Sequence, residues 1–262
     1  MERALSVQYC QNSTITEAWA LVLGLPARLD DTDAAVLLRA ARARFPGMQQ
    51  KPAIVAVKVQ EPTPPFWREQ VVWDDDKYLA RFGHRYLSVH FIRKGDRRYE
   101  TFSKSLQPGI EEWLKIYEDV LTRGEDKHLV DRIGFGYVNT FELDPEGFDL
   151  SRFFKMSFSV SVGARDAGLL SLDTGCVFFD KGRNVHLSVN LTVESPTEEN
   201  SRIRVVTKVS AERRGIEDAS FAKHELLQSM IADARQAAKD TFFSFATDDT
   251  HAIMGVVTDA AS

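Results

Sequence analysis

The histidines and cysteines are the residues of this sequence best suited to bind a metal ion. The chain has 6 histidines and 2 cysteines, and none of them shows the His-x-His, His-x₃-His or Cys-x₂-Cys spacing of a compact metal site. His84 and His90 share one face of a predicted strand, but at about 3.3 Å per residue they stand roughly 20 Å apart. The sequence therefore predicts no metal site and no cofactor at these residues.

Serine and cysteine nucleophiles lack the local sequence that usually positions them. The chain has no Gly-x-Ser-x-Gly segment, and Cys176 lies inside an apolar strand, where thiols are usually inert. Gly134 and Gly136 lack the third glycine and the following helix N-terminus of a phosphate-binding loop. These features favour a protein that is not an enzyme.

One acidic segment keeps an enzymatic alternative open. Asp74–Asp76 precedes Lys77, and Asp-x-Lys is a fragment of the carboxylate and lysine site of metal-dependent nucleases. Such a site needs a further carboxylate about one strand upstream, and only Glu69 is near. A solvated acidic turn is the favoured interpretation, and a metal-dependent nuclease is the alternative.

Strands and helices that must position these residues follow from the hydrophobic patterns and the helix stop signals. In the first half of the chain we predict strands at Ala18–Leu23, Ala53–Val59, Val71–Trp73 and His84–Lys94, and helices at Ala34–Phe45 and Ile110–Leu121. In the second half we predict strands at Arg132–Leu143, Phe154–Val162, Leu169–Phe179, Val185–Val193 and Ile203–Ala211, and a long helix at about Ile216 to Phe245.

The order of these elements predicts an α+β fold made of two similar halves. Each half runs from a strand through a helix to an antiparallel sheet and a final helix, because consecutive strands with short turns favour antiparallel pairing. We place the N-terminal half at residues 1–128 and the C-terminal half at residues 129–262, together in one compact unit. The long C-terminal helix is expected to pack on the second sheet.

Composition excludes several classes of protein. Hydrophobic residues make up 44% of the chain and charged residues 27%, which is typical of a folded globular protein. A net charge of −5 argues against general nucleic-acid binding. The N-terminus lacks the apolar region of a signal peptide, and no apolar run has the roughly 18 residues of a membrane span. Two distant cysteines suit a reducing compartment, so we expect a cytoplasmic protein.

Basic residues cluster at predicted strand ends, where they are candidates for binding. One group surrounds the turn Gly95-Asp96, predicted as a hairpin tip, and two others lie at Lys181/Arg183 and Arg213/Arg214. Three such tips at one sheet edge would form a patch for an acidic partner or RNA. The binding candidates are Arg93, Lys94, Arg97, Arg98 and Arg183.

A segment in the middle of the chain carries a resemblance to a known family. Residues 129–143 contain Arg132, Gly134, Tyr137 and Asn139 in the spacing Arg-x-Gly-x-x-Tyr-x-Asn. This segment resembles the signature strand of a sporadically distributed bacterial family of similar length that has no assigned function, except that Gly136 replaces its usual arginine. Tyr99–Leu121 and Phe242–Gly255 are similar to other segments of that family. The resemblance implies a bacterial host.

The motif residues themselves predict a structural role. Arg132 lies at the start of its strand, where the guanidinium can reach a carboxylate. Tyr137 and Asn139 share one strand face by the period of two. Because their neighbours are apolar, we expect them to be partly buried and hydrogen-bonded, and to join the two halves of the molecule.

These observations favour a non-catalytic cytoplasmic protein-binding or accessory module. Its partner is expected to be another protein, and exposed sheet edges are also compatible with a homodimer. The sporadic occurrence of the similar family suggests, by analogy, a bacterial defence or toxin–antitoxin system. A small-ligand-binding helix-grip protein is a further alternative, in which the long helix closes the sheet over a cavity lined by Phe154, Phe158, Phe178 and Phe179.

Overall fold

The computed structural model of the protein describes twelve ranges that together hold the strands and helices below. They are residues 7–10, 13–24, 31–44, 49–51, 71–74, 78–83, 86–121, 130–146, 148–155, 171–197, 200–216 and 224–258. The predicted strand at Ala53–Val59 and most of the one at Phe154–Val162 lie outside these ranges, as do Glu69, Asp75, Asp76 and Phe158.

The described ranges form eleven strands and six helices. The strands are β1 (Val7–Cys10), β2 (Ile15–Gly24), β3 (Gln49–Lys51), β4 (Val71–Asp74), β5 (Leu79–Gly83), β6 (Tyr86–Ile92), β7 (Val130–Leu143), β8 (Ser171–Asp180), β9 (Val185–Glu194), β10 (Ile203–Arg214) and β11 (Val256–Thr258). The helices are α1 (Asp31–Arg44), α2 (Phe102–Ser105), α3 (Gln107–Leu121), α4 (Leu150–Phe153), α5 (His224–Phe245) and α6 (Asp248–Met254).

Nine of the strands form one antiparallel sheet in the order β3-β4-β5-β6-β2-β7-β10-β9-β8. Strands from before residue 129 occupy one side of the sheet and those from after it the other, and β2 pairs with β7 where the two sides meet. Each side follows the same plan, because β6 returns to pair with β2 and β10 returns to pair with β7. The predicted α+β fold with antiparallel strands is therefore confirmed, with the two sheets joined edge to edge.

Helices pack on one face of this sheet and create the core. Side chains alternate between faces along each strand, and in β9 the alternate residues Val185, Val189, Leu191 and Val193 are buried. The long helix α5 lies against β7, β9 and β10, as predicted for the C-terminal helix. It buries apolar residues such as Leu227 and Ile231, and burying one such side chain contributes about 1.5–3 kcal/mol. The opposite side of the strands is called the open face below.

Two local predictions differ from the structure. The basic segment after β6 is a turn with Gly95 in the left-handed region (φ +54°), but it leads to α2 and not to a returning strand. It is therefore not a hairpin tip. Thr101 caps the N-terminus of α2 by accepting a hydrogen bond from the amide of Lys104. The long C-terminal helix begins at His224. The sequence predicted a start at about Ile216, and that residue is not helical in the structure.

Candidate functional site

The first half of the sequence motif lies on the open face and makes packing contacts there. The guanidinium of Arg132 lies 3.5 Å from the carboxylate of Glu212 on β10, so the predicted carboxylate contact is present. A Cβ atom added at Gly136 would stand 2.5 Å from the indole ring of Trp19, and one at Gly134 would stand 3.6 Å from it. Gly136 therefore gives the indole ring of Trp19 the space to pack against β7, whereas a side chain at Gly134 would meet that ring at an ordinary contact distance.

The second half of the motif points to the helix-covered face, where it connects the two sides of the sheet. Tyr137 and Asn139 are 8% and 2% exposed, which agrees with the expected burial. The hydroxyl of Thr14 donates to Oδ1 of Asn139 at 3.0 Å, from the segment before β2 to β7. The ring of Tyr137 meets that of Tyr99 edge-on, with centroids 5.9 Å apart.

The basic binding candidates do not form one surface. Arg93, Lys94, Arg97 and Arg98 follow the C-terminal end of β6. Arg183 lies in the turn between β8 and β9, at the opposite end of the sheet, and its guanidinium is 2.6 Å from the carboxylate of Asp240. Arg97 lies over the ring of Phe91, 4.7 Å from its centroid. The expectation of three basic tips at one edge is therefore wrong, because antiparallel strands place alternate turns at opposite ends.

A serine, a histidine and a glutamate form a hydrogen-bonded chain on the open face, which the sequence patterns did not indicate. Oγ of Ser88 lies 2.8 Å from Nε2 of His90, and Nδ1 of His90 lies 2.6 Å from Oε1 of Glu17. Ser88 and His90 share one face of β6 by the period of two, and β2 brings Glu17 beside them. The order of atoms is that of a nucleophile, a base and an orienting acid.

Burial and electrostatics indicate that the hydrogen-bonded Ser88–His90–Glu17 chain supports the fold and does not catalyse a reaction. Burial works to raise the pKa of Glu17, but the hydrogen bond and charge of His90, with smaller contributions from Arg81 and Lys208, leave that pKa below its usual value. An ionised Glu17 accepts from Nδ1 of His90, and Nε2 makes the second hydrogen bond of the ring with the serine hydroxyl. Ser88 is only 1% exposed, which is too little for its hydroxyl to meet a substrate carbonyl in this conformation. All three polar groups are paired with one another.

A cleft between α5 and the segment that leads into α3 contains two connected cavities. The outer cavity, of about 350 Å³, lies between α3 and α5 beside Ile110 and Ile231. The inner cavity, of about 110 Å³, is lined by Tyr99 and reaches the sheet at Asn139. Thr101, Phe102 and Arg235 line both, so we treat the two cavities as one site, called the cleft.

Polar groups without partners converge on the cleft. The hydroxyl of Tyr99 and Nε of Arg235 are buried and make no hydrogen bond within the described part of the chain. Tyr99 is 6% exposed. Burial, and after it the charge and the hydrogen-bonding hydroxyl of the nearby Tyr137, raise the pKa of the Tyr99 hydroxyl above its usual range, and Arg235 offsets this only in part. The hydroxyl is therefore protonated at neutral pH.

Arg235 was missed in the sequence, although a signal was present. The apolar stripe of α5 includes Leu227, Ile231, Ala238 and Phe242, and Arg235 falls four residues after Ile231 on that stripe. A cation at such a position is unusual because a buried charge needs a partner. Here the guanidinium lies over the ring of Phe102, 5.1 Å from its centroid.

The end strand β8 presents three consecutive apolar residues to solvent. Val177, Phe178 and Phe179 are 71%, 53% and 49% exposed, so Phe178 and Phe179 do not line the cavity expected for a helix grip. Phe154 is instead buried against Phe245. Cys176 is exposed, which corrects the expectation of a thiol sequestered in an apolar strand.

The described ranges bring together no residues that would support a metal site or the nuclease alternative. Within the described ranges, no three histidine, cysteine or acidic residues approach one another closely enough to hold a metal ion. The nuclease alternative depends on Glu69 and on Asp74–Asp76, of which only the backbone of Asp74 is described. Among the described helices, none combines the length and the apolar character that crossing a bilayer requires.

Comparison with known proteins supplies no further assignment. A scan against models of protein families finds no match, and a search of curated proteins finds no significant similarity. The resemblance of residues 129–143 to a sporadic bacterial family therefore stays a prediction.

Proposed function

We propose that this protein is a non-catalytic protein-binding module that binds by strand addition at the β8 edge. The observation that carries the proposal is the run of exposed apolar residues Val177–Phe179. Natural edge strands usually carry lysine, proline or a bulge that prevents pairing with another chain. β8 has the sequence SLDTGCVFFD and contains no lysine, arginine or proline.

Both faces of this edge are apolar. Val177 and Phe179 lie on the open face and Phe178 on the helix-covered face, because side chains alternate along a strand. Within the described ranges, β8 pairs only with β9 and is the last strand of the sheet. A strand added to β8 would gain main-chain hydrogen bonds from the ladder and apolar contacts on both sides.

The occupant that best fits β8 is the β8 strand of a second copy. An antiparallel pairing centred on Val177 places the two Val177 side chains opposite each other and Cys176 opposite Phe178. The same register places Asp173 opposite Lys181, so the ends of the pairing carry complementary charges. Two sheets would then continue as one across a two-fold axis.

The wider setting of this module rests on sequence expectations. The cytoplasmic location is part of the proposal and rests on the two distant cysteines, which suit a reducing compartment. An accessory role in a bacterial defence or toxin–antitoxin system follows only from the resemblance of residues 129–143. Both belong to the proposal, and the neighbouring genes of the host are the place to look for a further protein partner.

Disulfide trapping tests the proposed register. In a background with Cys10→Ser and Cys176→Ser, we expect Val177→Cys to form a covalent dimer on mild oxidation, because facing residues of antiparallel strands have Cβ atoms about 4.5–5.5 Å apart. Asp173→Cys is the matched control, since this register pairs residue 173 with residue 181 and not with itself. Equal trapping of the two variants would contradict the register.

Sedimentation of the unmodified chain tests self-association itself. We expect the parent to form a dimer in a concentration-dependent manner and Val177→Lys to remain monomeric, because a buried lysine opposes pairing. Glu142→Lys, an exposed change on β7 away from the edge, should leave the dimer intact. A parent that is monomeric at every concentration would refute the second copy as the occupant.

A further inference from the structure

Arg235 is a cation that has no counter-ion among the described residues that line the cleft. Its Nε is buried and makes no hydrogen bond within the described ranges, and its guanidinium lies over the ring of Phe102. Two acidic residues line the cleft, and both already have partners: Glu100 pairs with Lys104 at 2.8 Å, and Glu111 accepts from Gln107 at 2.7 Å. A guanidinium that is partly removed from water and lacks an anion is an unfavourable arrangement unless an anion binds there.

A second, independent donor points to the same place. The Tyr99 hydroxyl lies in a residue that is 6% exposed and has no hydrogen-bond partner among the described residues. Native proteins leave few buried polar groups without a partner, and each exception calls for an explanation. Lys239 also lines the inner cavity, so the positive charge of the site is not confined to Arg235.

The walls around these donors combine apolar and polar side chains, including Glu100 and Glu111. Of the apolar ones, Phe242 and Met254 lie on the inner side, and Ile110 and Ile231 lie on the outer side. The outer cavity of about 350 Å³ falls within the volume range of small-molecule sites, about 300–1,000 Å³. An apolar pocket with a few convergent polar groups is the usual composition of such a site.

We propose that the cleft binds a small organic carboxylate, with its carboxylate on Arg235 and Tyr99 and its apolar body against Phe102 and the cleft walls. A planar carboxylate matches the two parallel N–H donors of a guanidinium. The tyrosine hydroxyl supplies a donor to the second oxygen. A metal ion is not the expected occupant, because the groups that lack partners are donors and a cation.

This site is independent of the proposed protein-binding edge. The cleft is built from the segment at residues 99–102 and from α3 and α5, whereas the edge is built from β8 alone. Val177→Lys should therefore abolish dimer formation while leaving carboxylate binding unchanged. A parent chain that dimerises but binds no carboxylate would refute the cleft proposal alone, and one that binds a carboxylate but stays monomeric would refute the second copy as occupant of the edge alone.

Titration with simple carboxylates tests the site. The probes are benzoate, phenylacetate and octanoate, each beside its neutral primary amide, and inorganic phosphate, all followed by ligand-detected NMR and calorimetry with the full chain. We expect at least one carboxylate to bind and its amide to bind at least about tenfold more weakly, which is the loss expected for one charge-assisted hydrogen bond. Failure of every carboxylate to bind, or tighter binding of phosphate, overturns the proposal.

Variants locate the bound probe. We expect Arg235→Gln and Tyr99→Phe each to weaken binding of the best carboxylate, by about tenfold or more for Arg235→Gln. Arg152→Gln, which removes the same charge from an exposed position paired with Asp249, is the matched control and should bind normally. The Tm of Arg235→Gln should equal or exceed that of the parent, because an unpartnered buried donor is removed. Normal binding by Arg235→Gln or Tyr99→Phe contradicts the proposed site. Weak binding that is explained by unfolding of the variant also contradicts it.

Discussion

The Ser88–His90–Glu17 chain and the cleft contain similar polar groups, but they differ in how those groups are paired. On the open face, each of the three side chains has a hydrogen-bond partner at 2.6 or 2.8 Å. In the cleft, the Tyr99 hydroxyl and Nε of Arg235 have none in the described part of the chain. The first arrangement resembles a catalytic triad in its order of atoms and the second resembles no catalytic motif.

Hydrogen-bond pairing therefore separates the two regions better than residue type does. A buried polar group that is fully paired stabilises the fold, while one that is left unpaired costs free energy until a ligand supplies the missing partner. Ser88 is paired and closed to solvent, so we assign it to the fold. Arg235 and Tyr99 are unpaired beside a cavity, so we assign them to binding. The following predictions test this distinction.

The largest expected effect is that of removing the centre of the open-face chain. His90→Ala leaves the hydroxyl of Ser88 and the carboxylate of Glu17 without their partner and creates a cavity, since His90 is 6% exposed. We expect the free energy of unfolding to fall by about 3 kcal/mol, measured by urea denaturation. His186→Ala, on the open face of β9, is the control and should have a smaller effect. If His90→Ala were as stable as the parent, the hydrogen-bonded Ser88–His90–Glu17 chain would not support the fold.

Asn139→Ala should have an intermediate effect. Its Oδ1 accepts from Thr14 and connects the segment before β2 with β7, so the variant leaves a part-buried hydroxyl without its acceptor. We expect a loss of about 1–2 kcal/mol in the free energy of unfolding. If this variant melts like the parent but loses carboxylate binding, Asn139 belongs to the ligand site and not to the junction between the two sides of the sheet.

A smaller effect is expected from acid, with a sign fixed by Glu17. Its pKa is lowered in the folded state, because the hydrogen bond and charge of His90 outweigh the opposing effect of burial. The contribution of Glu17 is therefore fully present above its unfolded value near 4.5, and it is lost as the pH falls through the lower folded value. Glu17→Gln should have a weaker dependence of stability on pH in this acidic range. An identical pH profile for parent and variant would contradict the ionised Glu17.

The sequence predicted the sheet well because its strands bury one face. In β9 the alternation of Val185, Leu187 and Val189 with polar residues set both the element and its orientation. The sequence also predicted the carboxylate contact of Arg132, which depends on a neighbour in the next strand.

The sites were not predicted because they are assembled from residues distant in sequence. Glu17 lies 73 residues from His90, and no spacing rule connects them. The cleft joins Tyr99 to Arg235 through the packing of α5 on the sheet. The exposure of Val177–Phe179 was missed for a related reason, since apolar alternation indicates a strand but not whether that strand has a neighbour on both sides.

A pair of single-oxygen deletions tests the central distinction most directly. Ser88→Ala removes a hydroxyl that is paired with His90, and Tyr99→Phe removes one that has no partner within the described residues. By urea denaturation in the absence of ligand, we predict that Ser88→Ala lowers the free energy of unfolding by about 1 kcal/mol and that Tyr99→Phe leaves it unchanged or raises it. A loss for Tyr99→Phe equal to that for Ser88→Ala would contradict the account.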